Sequence, residues 1–453
     1  MSGLGSSLDF SRDIEEGVAD RVSLNDIDYI LSSASKKTPP KRVLLLQGPV
    51  GSLFRRLQNR LNDQGIEAWR VILNKADDFF GGRDRLLHFK GGHAAWSQWL
   101  EAELEAKQFD CIILFGCERP AHTIARRIAR KSGITVISLE EGYIRPGYIS
   151  VEENGNNASS PLAGKVPTGT FSAVQNEEQA VFKKKPLGSY LNAALYYTLN
   201  ELFNSRRERE LNHRQTPIIS ECAKWLRNVY INLSARQRDL RAIEKLTQNH
   251  NKNYYLVALQ VAADSNLKEA ALGWCSKRLV RESIASFAQD APDGSQLVFK
   301  VHPMERGHNK LNPLIMTTAQ KHGVADRVSI IEVGPLGLLA EHAAGLITIN
   351  STSGLSAIYH GTPLLIIGRA IYEHPKLAVC SHGRPDFSTF WHKTNVASHD
   401  FRMNYLGWLT KHALKSGDLY NRAGQDVAID GILAKLTGAT PTCAGTVEKE
   451  RAN

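Results

Sequence analysis

Short apolar runs alternate with amphipathic segments of helical periodicity along this chain, and that alternation restricts its fold more than any other feature. Residues 42–47, 68–73, 111–115 and 134–139 are predicted strands, with helices predicted over 53–61, 94–106 and 121–131. A second series has strands at 254–261, 297–302 and 328–331 and a helix over 277–288. Such alternation is typical of parallel, doubly wound sheets. The chain is therefore predicted to be an α/β protein with two Rossmann-like domains.

The second series ends in residues 346–368, whose pattern predicts a strand, a tight turn, a short helix and another strand. Ser351, Thr352 and Ser353 occupy the turn, and Gly361 with Pro363 is expected to stop the helix. Backbone N–H groups at a helix start attract anions, so these hydroxyl residues form a predicted phosphate site. The alternative is ordinary N-capping, in which one hydroxyl accepts a hydrogen bond from a helix N–H group.

The 453 residues suffice for two domains of about 200 residues each. We predict a polar, partly disordered lead-in at 1–39, an N-terminal Rossmann-like domain with the acceptor and catalytic groups at 40–171, and a basic helical segment at 172–250. A C-terminal Rossmann-like nucleotide-binding domain at 251–375, helices at 376–437 and a polar tail at 438–453 complete the chain. The C-terminal helices are expected to cross back onto the first domain and to hold the cleft between the domains together.

Within the basic segment, shortly after Lys183, Lys184 and Lys185, an apolar stripe recurs at helical spacing. Its members are Leu187, Tyr190, Leu191, Ala194, Leu195, Leu199 and Leu202. An apolar stripe flanked by cations suits an anionic membrane surface. The same stripe would result from a helix that packs on its own domain. The sequence leaves both interpretations open.

A formal charge of +10 indicates an acidic partner, which can be a nucleic acid, a nucleotide or an anionic membrane. The six cysteines are scattered without a CxxC pair, which argues against a zinc site or a disulfide framework and fits a reducing cytoplasm. The start of the chain lacks the pattern of a secretory leader, and no apolar run approaches about 18 residues. We therefore expect a protein that is neither exported nor integral to a membrane.

Ligands of doubly wound sheets bind beyond the carboxyl ends of the strands, and this rule selects the candidate site residues. The first domain contributes carboxylates and the second contributes cations and hydroxyls, a combination that suits group transfer from an activated donor. Lys300 and His302 also have a simpler interpretation as polar residues at a strand exit. The candidates are Gln47, Gly48, Glu140, Glu141 and Arg145 in the first domain, and Gln260, Asp264, Lys300, His302, Ser351, Thr352 and Ser353 in the second.

The two adjacent glutamates pose a geometric question. Neighbouring residues in a regular strand point to opposite faces. Glu140 and Glu141 can therefore serve one site only if the chain turns at the pair, and Gly142 is the residue that would permit such a turn. Without that turn, one of the two glutamates is expected to be structural.

Five motifs occur in the order found in the capsule polysaccharide biosynthesis proteins of the KpsS type, which are retaining β-Kdo glycosyltransferases of Gram-negative bacteria. They are LLLQGP at 44–49, EEGYIRP at 140–146, QV at 260–261 with DS at 264–265, KVHP at 300–303 with ERG at 305–307, and NSTSG at 350–354. The chain resembles this family over most of its length.

The resemblance implies a GT-B-like fold, CMP-Kdo as the donor with no further cofactor, and a lyso-phosphatidylglycerol-type acceptor that starts the capsule linker. It also implies a cytoplasmic protein, peripheral at the inner face of the inner membrane, with other capsule assembly proteins as possible partners and no nucleic acid. Gln260 and Asp264 are donor-site candidates mainly through this resemblance. Related transferases often carry Asp where this chain has Glu141, which favours Glu141 as the nucleophile and leaves Glu140 as the second choice.

Other functions fit parts of the pattern. A GT-B enzyme for another nucleotide sugar, a UDP-sugar epimerase, or a non-catalytic subunit of a capsule export complex are the alternatives. A metal-dependent transferase is disfavoured, because the only Asp-x-Asp sequence, at 26–28, lies in the lead-in. NAD binding is also disfavoured, because no GxGxxG motif follows the first strand.

Overall fold

The computed structural model describes residues 38–144, 146–171, 187–205, 207–211, 227–261, 267–305, 311–392 and 395–438. The predicted lead-in up to residue 37, residues 183–185 and the tail beyond 438 lie outside these ranges. Two predicted site residues, Arg145 and Asp264, lie outside them as well. Residues Lys41–Ile432 form one compact unit, and both sheets belong to it.

The described residues contain thirteen strands in two sheets. The first sheet has the order β13-β6-β5-β4-β1-β2-β3, and the second has the order β12-β11-β10-β7-β8-β9. The strands are β1 (Arg42–Leu45), β2 (Glu67–Ile72), β3 (Leu86–His88), β4 (Cys111–Phe115), β5 (Thr135–Glu141), β6 (Tyr148–Glu153), β7 (Tyr254–Ala258), β8 (Gln296–Lys300), β9 (Val328–Ile331), β10 (Gly345–Thr348), β11 (Leu364–Ile366), β12 (Val379–Cys380) and β13 (Leu414–Ser416).

Helices follow most strands, as a doubly wound sheet requires. They are α1 (Leu53–Asp63), α2 (Lys75–Gly81), α3 (His93–Lys107), α4 (Pro120–Lys131), α5 (Leu187–Phe203), α6 (Arg236–Asn249), α7 (Ser276–Asp290), α8 (Leu311–Lys321), α9 (Leu336–His342), α10 (Gly354–His360), α11 (Phe387–His392), α12 (His399–Ala413) and α13 (Arg422–Thr437). No described helix combines the length and the apolar character needed to cross a membrane.

Each sheet has its own apolar core, which is why the fold class could be predicted from apolar runs. Strands β4, β7, β10 and β11 are buried along their whole length, as expected for parallel strands covered on both faces. Leu44 and Ile112 pack with Trp96 of α3 in the first sheet, and Val257 and Phe299 pack with Ile284 of α7 in the second. The predicted class, an α/β protein of two Rossmann-like sheets, is confirmed.

Most predicted elements occur within one to three residues of their expected bounds, and 111–115 and 328–331 match the observed strands. The sequence analysis missed the helices α2, α8 and α9 and the strands β3, β6, β12 and β13. Strand β6 pairs antiparallel with β5 from Glu153 opposite Ile137 to Ile149 opposite Glu141. Strand β5 consequently extends two residues beyond the predicted end at 139.

The C-terminal part of the chain returns to the first sheet, as expected, but it does so with a strand as well as helices. Arg402 of α12 donates two hydrogen bonds from Nη1 to the carbonyl oxygens of Ile358 and Tyr359, at 2.6 and 2.8 Å, at the end of α10. The chain then forms β13, which pairs antiparallel with β6. This segment therefore contacts elements of both sheets.

Candidate functional site

The carboxyl edge of the second sheet is fixed by a pair of amide side chains. Gln260 follows β7 and Asn350 follows β10, which is the neighbouring strand. Gln260 Nε2 donates to Asn350 Oδ1 at 2.8 Å, and Asn350 N donates to Gln260 Oε1 at 3.0 Å. Both residues are buried. The predicted site residue Gln260 thus positions the start of the hydroxyl-rich turn.

That turn leads into α10, as predicted, and α10 ends directly before Gly361. Ser351 Oγ accepts a hydrogen bond from the N–H group of Ser353 at 3.2 Å. No side chain caps the helix from position 353. The Ser353 hydroxyl is buried and finds no hydrogen-bond partner among the described residues. Ser351 therefore stabilises the turn and does not cap the helix, and the phosphate role of the turn stays a prediction.

Lys300 and His302 lie at the end of β8, next to β7 in the sheet. The Lys300 ammonium group is buried and donates to the carbonyl oxygens of Val301 and Glu332, both at 3.1 Å. His302 is half-buried, and its Nδ1 accepts a hydrogen bond from Met304 N at 3.2 Å. A neutral His302 with Nδ1 as acceptor carries its proton on Nε2, which makes Nε2 a donor. The contacts of Lys300 fit a structural role at the strand exit.

In the first sheet, Gln47 is buried in a polar network at the end of β1. Its Nε2 donates to Asp77 at 3.2 Å and to the Tyr196 hydroxyl at 2.9 Å, while its Oε1 accepts from Arg119 at 3.1 Å. Tyr196 belongs to α5 and donates in turn to Asp77 at 2.8 Å. Protein groups thus occupy both ends of the Gln47 amide, and its ligand-binding role stays a prediction.

The residues next to Gln47 are closely packed as well. A Cβ atom on Gly48 would lie 2.5 Å from the Phe54 ring, so glycine is needed for α1 to pack there. Arg119 also donates to the Gly48 carbonyl oxygen at 3.2 Å. Burial lowers the pKa of Arg119, and burial raises the pKa of Asp77 against the opposing effect of its hydrogen bond from Tyr196.

The two glutamates diverge. Both belong to the regular strand β5, with Glu140 opposite Ser150 and Glu141 opposite Ile149 in β6. They therefore point to opposite faces of the sheet. Glu141 is half-buried, and its Oε1 accepts a hydrogen bond from the Tyr420 hydroxyl at 2.9 Å. A single site that uses both carboxylates is thus excluded by the strand geometry.

The expected turn does occur, but it follows the pair and does not divide it. Gly142 N donates to the Tyr148 carbonyl oxygen at 3.1 Å and begins the connection to β6. A Cβ on Gly142 would collide with that same oxygen, which explains the glycine. Glu140 faces a different environment from Glu141. Burial raises the pKa of the Tyr143 hydroxyl, and the charges of Glu152 and Glu140 raise it further.

A chain of hydrogen bonds joins this connection to the second sheet. The Tyr143 hydroxyl donates to Glu152 and accepts from the N–H group of Asn157. The Asn157 side chain donates to the Asn350 carbonyl oxygen at 3.3 Å and accepts from Ile371 N at 3.1 Å. The connection that follows Glu141 and the turn that holds Ser351–Ser353 are therefore linked through one buried asparagine. In the described part of the chain, no group of three or more His, Cys, Asp or Glu side chains is placed to hold a metal ion.

The profile of the family described as capsule polysaccharide biosynthesis protein matches residues 110–420. This match covers more than half of the chain. It includes Glu140 and Glu141, the ends of strands β7 and β8, and the hydroxyl-rich turn. The chain belongs to this capsule biosynthesis family. The prediction of a KpsS-type family member, made from five short motifs, is confirmed.

Two curated relatives illustrate the membership. The capsule polysaccharide export protein KpsS of Escherichia coli is 32% identical over 348 residues, which cover 76% of this chain and 88% of that protein. The capsule polysaccharide modification protein LipB of Neisseria meningitidis serogroup B is 29% identical over 399 residues, or 85% of this chain and 92% of that protein. The chain is thus similar to family members over most of their lengths.

Two solved structures were matched at low similarity. The β-Kdo 2,7 transferase KpsC of Thermosulfurimonas dismutans has 16% identity and a TM-score of 0.41, with 86% of this chain and 98% of that chain covered. The S. aureus MnaA–UDP complex has 12% identity and a TM-score of 0.32, with 87% and 97% covered.

Several residues of this capsule family member that shape the site were missed in the sequence analysis. Asn157, Tyr196 and Tyr420 act through partners far along the chain, 193 residues away for Asn157 and Asn350 and 279 for Tyr420 and Glu141. The partners of Tyr143 lie within 14 residues of it. No local pattern marks such pairs. The apolar stripe predicted over residues 187–202 did not include Tyr196, so it gave no signal for this residue.

Proposed function

We propose that this protein is a retaining β-Kdo glycosyltransferase that transfers Kdo from CMP-Kdo to a lyso-phosphatidylglycerol-type lipid and so starts the linker of a capsular polysaccharide. Membership in the capsule biosynthesis family supports the pathway. The observation that carries the reaction is the hydrogen-bonded link from the connection after Glu141, through Asn157, to Asn350 and the turn at Ser351. It ties the end of β5 to an anion-compatible turn on the face of Glu140, since Glu152 lies opposite Ser138. The choice of Glu141 over Glu140 rests on the family resemblance at that position.

The donor would bind at the edge of the second sheet. As the glycosidic bond breaks, the CMP phosphate keeps a charge that needs donors around it. The Nε2 donor of His302 and the hydroxyls of Ser351, Thr352 and Ser353 are the groups assigned to it. The buried Ser353 hydroxyl, which has no partner among the described residues, supports this assignment. Lys300 would stabilise the strand exit from which His302 projects.

The reaction would use Glu141 as the nucleophile. Its carboxylate attacks the anomeric carbon of Kdo, the bond to the phosphate oxygen breaks, and CMP leaves with the bonding electrons. The acceptor hydroxyl then attacks the same carbon, displaces the Glu141 carboxylate and loses its proton to water or a neighbouring base. Two displacements retain the anomeric configuration. The Tyr420 hydroxyl orients the carboxylate through the hydrogen bond to Oε1.

The opposite directions of the two glutamates make this assignment testable. Intact mass is measured on the wild-type enzyme incubated with CMP-Kdo in the absence of acceptor. We expect one covalently attached Kdo on the wild type and on the Glu140→Gln variant, and none on Glu141→Gln. An adduct on both variants would place the nucleophile elsewhere, and an inverted product anomer would refute double displacement.

A nucleotide-release assay, with CMP-Kdo and UDP-sugars supplied separately, distinguishes the alternatives. Release of UDP from a UDP-sugar, with CMP-Kdo left intact, would favour another GT-B enzyme or an epimerase. Release of neither nucleotide in the presence of lipid acceptor would favour a non-catalytic subunit. Activity in excess EDTA tests the proposed independence of metal ions.

A further inference from the structure

A cavity of about 320 Å³ lies on the face of the first sheet to which Glu141 points, and no role was assigned to it above. Three helix starts surround it, those of α1, α5 and α13. Tyr420 forms part of its wall and donates the hydrogen bond to Glu141. The lining residues are Val50, Gly51, Ser52, Arg55, Arg56, Asn59, Ser189, Asn192, Tyr420, Arg422 and Gln425.

The charges of this cavity are all positive, because its lining includes three arginines and no acidic residue. Arg56 is paired with Asp426 and donates to Gln425 Oε1 at 2.9 Å. Arg55 and Arg422 are exposed, and across the ranges that the structure describes neither guanidinium forms an ion pair or a hydrogen bond. Two unpaired guanidinium groups at one cavity suit a phosphate, which they can bind through charge-assisted hydrogen bonds.

Helix α5, which forms one wall of the cavity, is oriented with its polar side inward. Tyr196 and Asn200 are buried, and Asn204, directly after the helix, accepts a hydrogen bond from Lys75 N at 3.1 Å. The apolar side chains point away from the sheet: Leu191 is 64% exposed and Leu202 is 68% exposed. Tyr190, Leu195 and Phe203 add to the same exposed surface.

The cavity and the apolar surface adjoin each other. Ser189 and Asn192 line the cavity, while their neighbours Tyr190 and Leu191 belong to the exposed apolar surface. A ligand with a phosphate beside an acyl chain matches this arrangement, because its charged group would meet the arginines where its chain reaches the leucines. A free nucleotide has no part that requires the apolar surface.

We propose that this cavity is the subsite for the phosphate of the lipid acceptor, with Arg55 and Arg422 binding the phosphate and the exposed side chains of α5 contacting the membrane surface. The inference rests on the proposed function, since it names the acceptor site of that reaction. It places the acceptor on the Glu141 face of the sheet, where Tyr420 contacts both the cavity and the carboxylate. Glu140, on the opposite face, is separated from it by the sheet.

The test compares Arg55→Gln with Arg422→Gln, and uses Arg60→Gln as the matched control. Arg60 lies on the same helix as Arg55 and is exposed, but it pairs with Asp430 and does not line the cavity. Binding of a monomeric short-chain lysophosphatidylglycerol is measured by calorimetry, with the corresponding monoacylglycerol and inorganic phosphate as separate probes. We expect lysophosphatidylglycerol affinity to fall by about 10-fold or more in each cavity variant and to stay unchanged in Arg60→Gln.

The probes and the kinetics distinguish the possible outcomes. The acceptor KM should rise in the cavity variants while the KM for CMP-Kdo stays constant. Weaker CMP binding in these variants would assign the cavity to the nucleotide and overturn the proposal, as would lysophosphatidylglycerol affinity equal to that of the control. If inorganic phosphate binds as tightly as lysophosphatidylglycerol, the cavity is a site for free phosphate and not for lipid. If the wild type binds lysophosphatidylglycerol here but transfers no Kdo, the subsite stands and the proposed reaction fails.

Discussion

Asn157 is the residue on which the alignment of the two halves of the site depends most directly. It adopts a left-handed backbone conformation with φ of 51°, which asparagine tolerates better than most residues. Its amide supplies one donor and one acceptor to backbone groups of the second sheet region, at Asn350 and Ile371. No shorter or purely apolar side chain can provide both.

Asn157→Ala should destabilise the protein by roughly 2–4 kcal/mol, because two buried hydrogen bonds are lost and alanine is strained at this φ. Asn154→Ala is the matched control, since Asn154 also has a positive φ of 66° but is exposed. It should cost about 1 kcal/mol. Urea unfolding measures both. Equal losses of unfolding free energy in the two variants would mean that the side-chain hydrogen bonds of Asn157 contribute nothing to stability.

Also at the residue scale, His302 is the side chain through which the proposed donor site can be tested. His302→Ala should weaken CMP binding by about 10-fold, through loss of the Nε2 donor, and leave the unfolding curve unchanged. His322→Ala provides the control, because His322 is exposed at the end of α8. Calorimetric titration with CMP gives the answer. Unchanged CMP affinity in the His302 variant would remove this residue from the donor site.

At the scale of elements, α5 has features of both interpretations that the sequence left open. The helix does pack on its own domain, but through Tyr196 and Asn200, whereas Leu191, Leu195 and Leu202 are exposed. Burial of hydrogen-bonded polar groups in place of leucines means that the apolar stripe was not selected to fill the core of the described protein. Its exposure supports contact with a membrane surface.

Leu191→Asn and Leu195→Asn should each reduce binding to phosphatidylglycerol vesicles by about 10-fold, given roughly 1.5 kcal/mol for removal of a leucine from an apolar environment. Leu338→Asn is the control, because Leu338 is an exposed leucine of α9, outside this surface. Flotation at increasing salt completes the measurement. Binding should weaken with salt, since each basic residue near the lipid contributes about 1 kcal/mol. Vesicle binding that depends on neither lipid charge nor salt would contradict the proposed contact with an anionic membrane.

At the scale of the whole molecule, the return of the chain through β13 couples the C-terminal segment to the first sheet. Gly417 directly follows β13, with φ of 138°, and its N–H group donates to the Gly147 carbonyl oxygen at 2.9 Å. A Cβ atom at this position would lie 2.6 Å from the backbone nitrogen of Ala428 in α13. Glycine therefore allows α13 to approach the strand that leads to Tyr420.

Gly417→Ala should cost about 3 kcal/mol or more, since it adds overpacking against the α13 backbone to the strain of a positive φ. Gly323→Ala isolates the strain, because Gly323 has φ of 70° and nothing within 4 Å of its Cβ position. That control should lose only about 1 kcal/mol. Thermal unfolding checks both values. A Gly417 variant as stable as the control would show that α13 shifts without cost.

The sequence by itself determined the elements with a strong local signal. Strand β4, strand β9 and the strand-turn-helix unit from β10 to α10 were predictable, because largely apolar runs and turn residues act within a few positions of the chain. The edge on which ligand groups gather also followed from the sequence, since parallel strands place their carboxyl ends together. The family was recognisable from short motifs on that edge.

Only the tertiary structure decided how those groups are directed. Strand β6 holds Glu140 and Glu141 in one regular strand, so the ladder and not the local sequence sends them to opposite faces. The sequence around Gln47 gave no sign that Asp77, Arg119 and Tyr196, from distant parts of the chain, form hydrogen bonds with its amide. Burial and hydrogen bonding between residues far apart in sequence leave no periodic trace, because each partner satisfies its local pattern without the other.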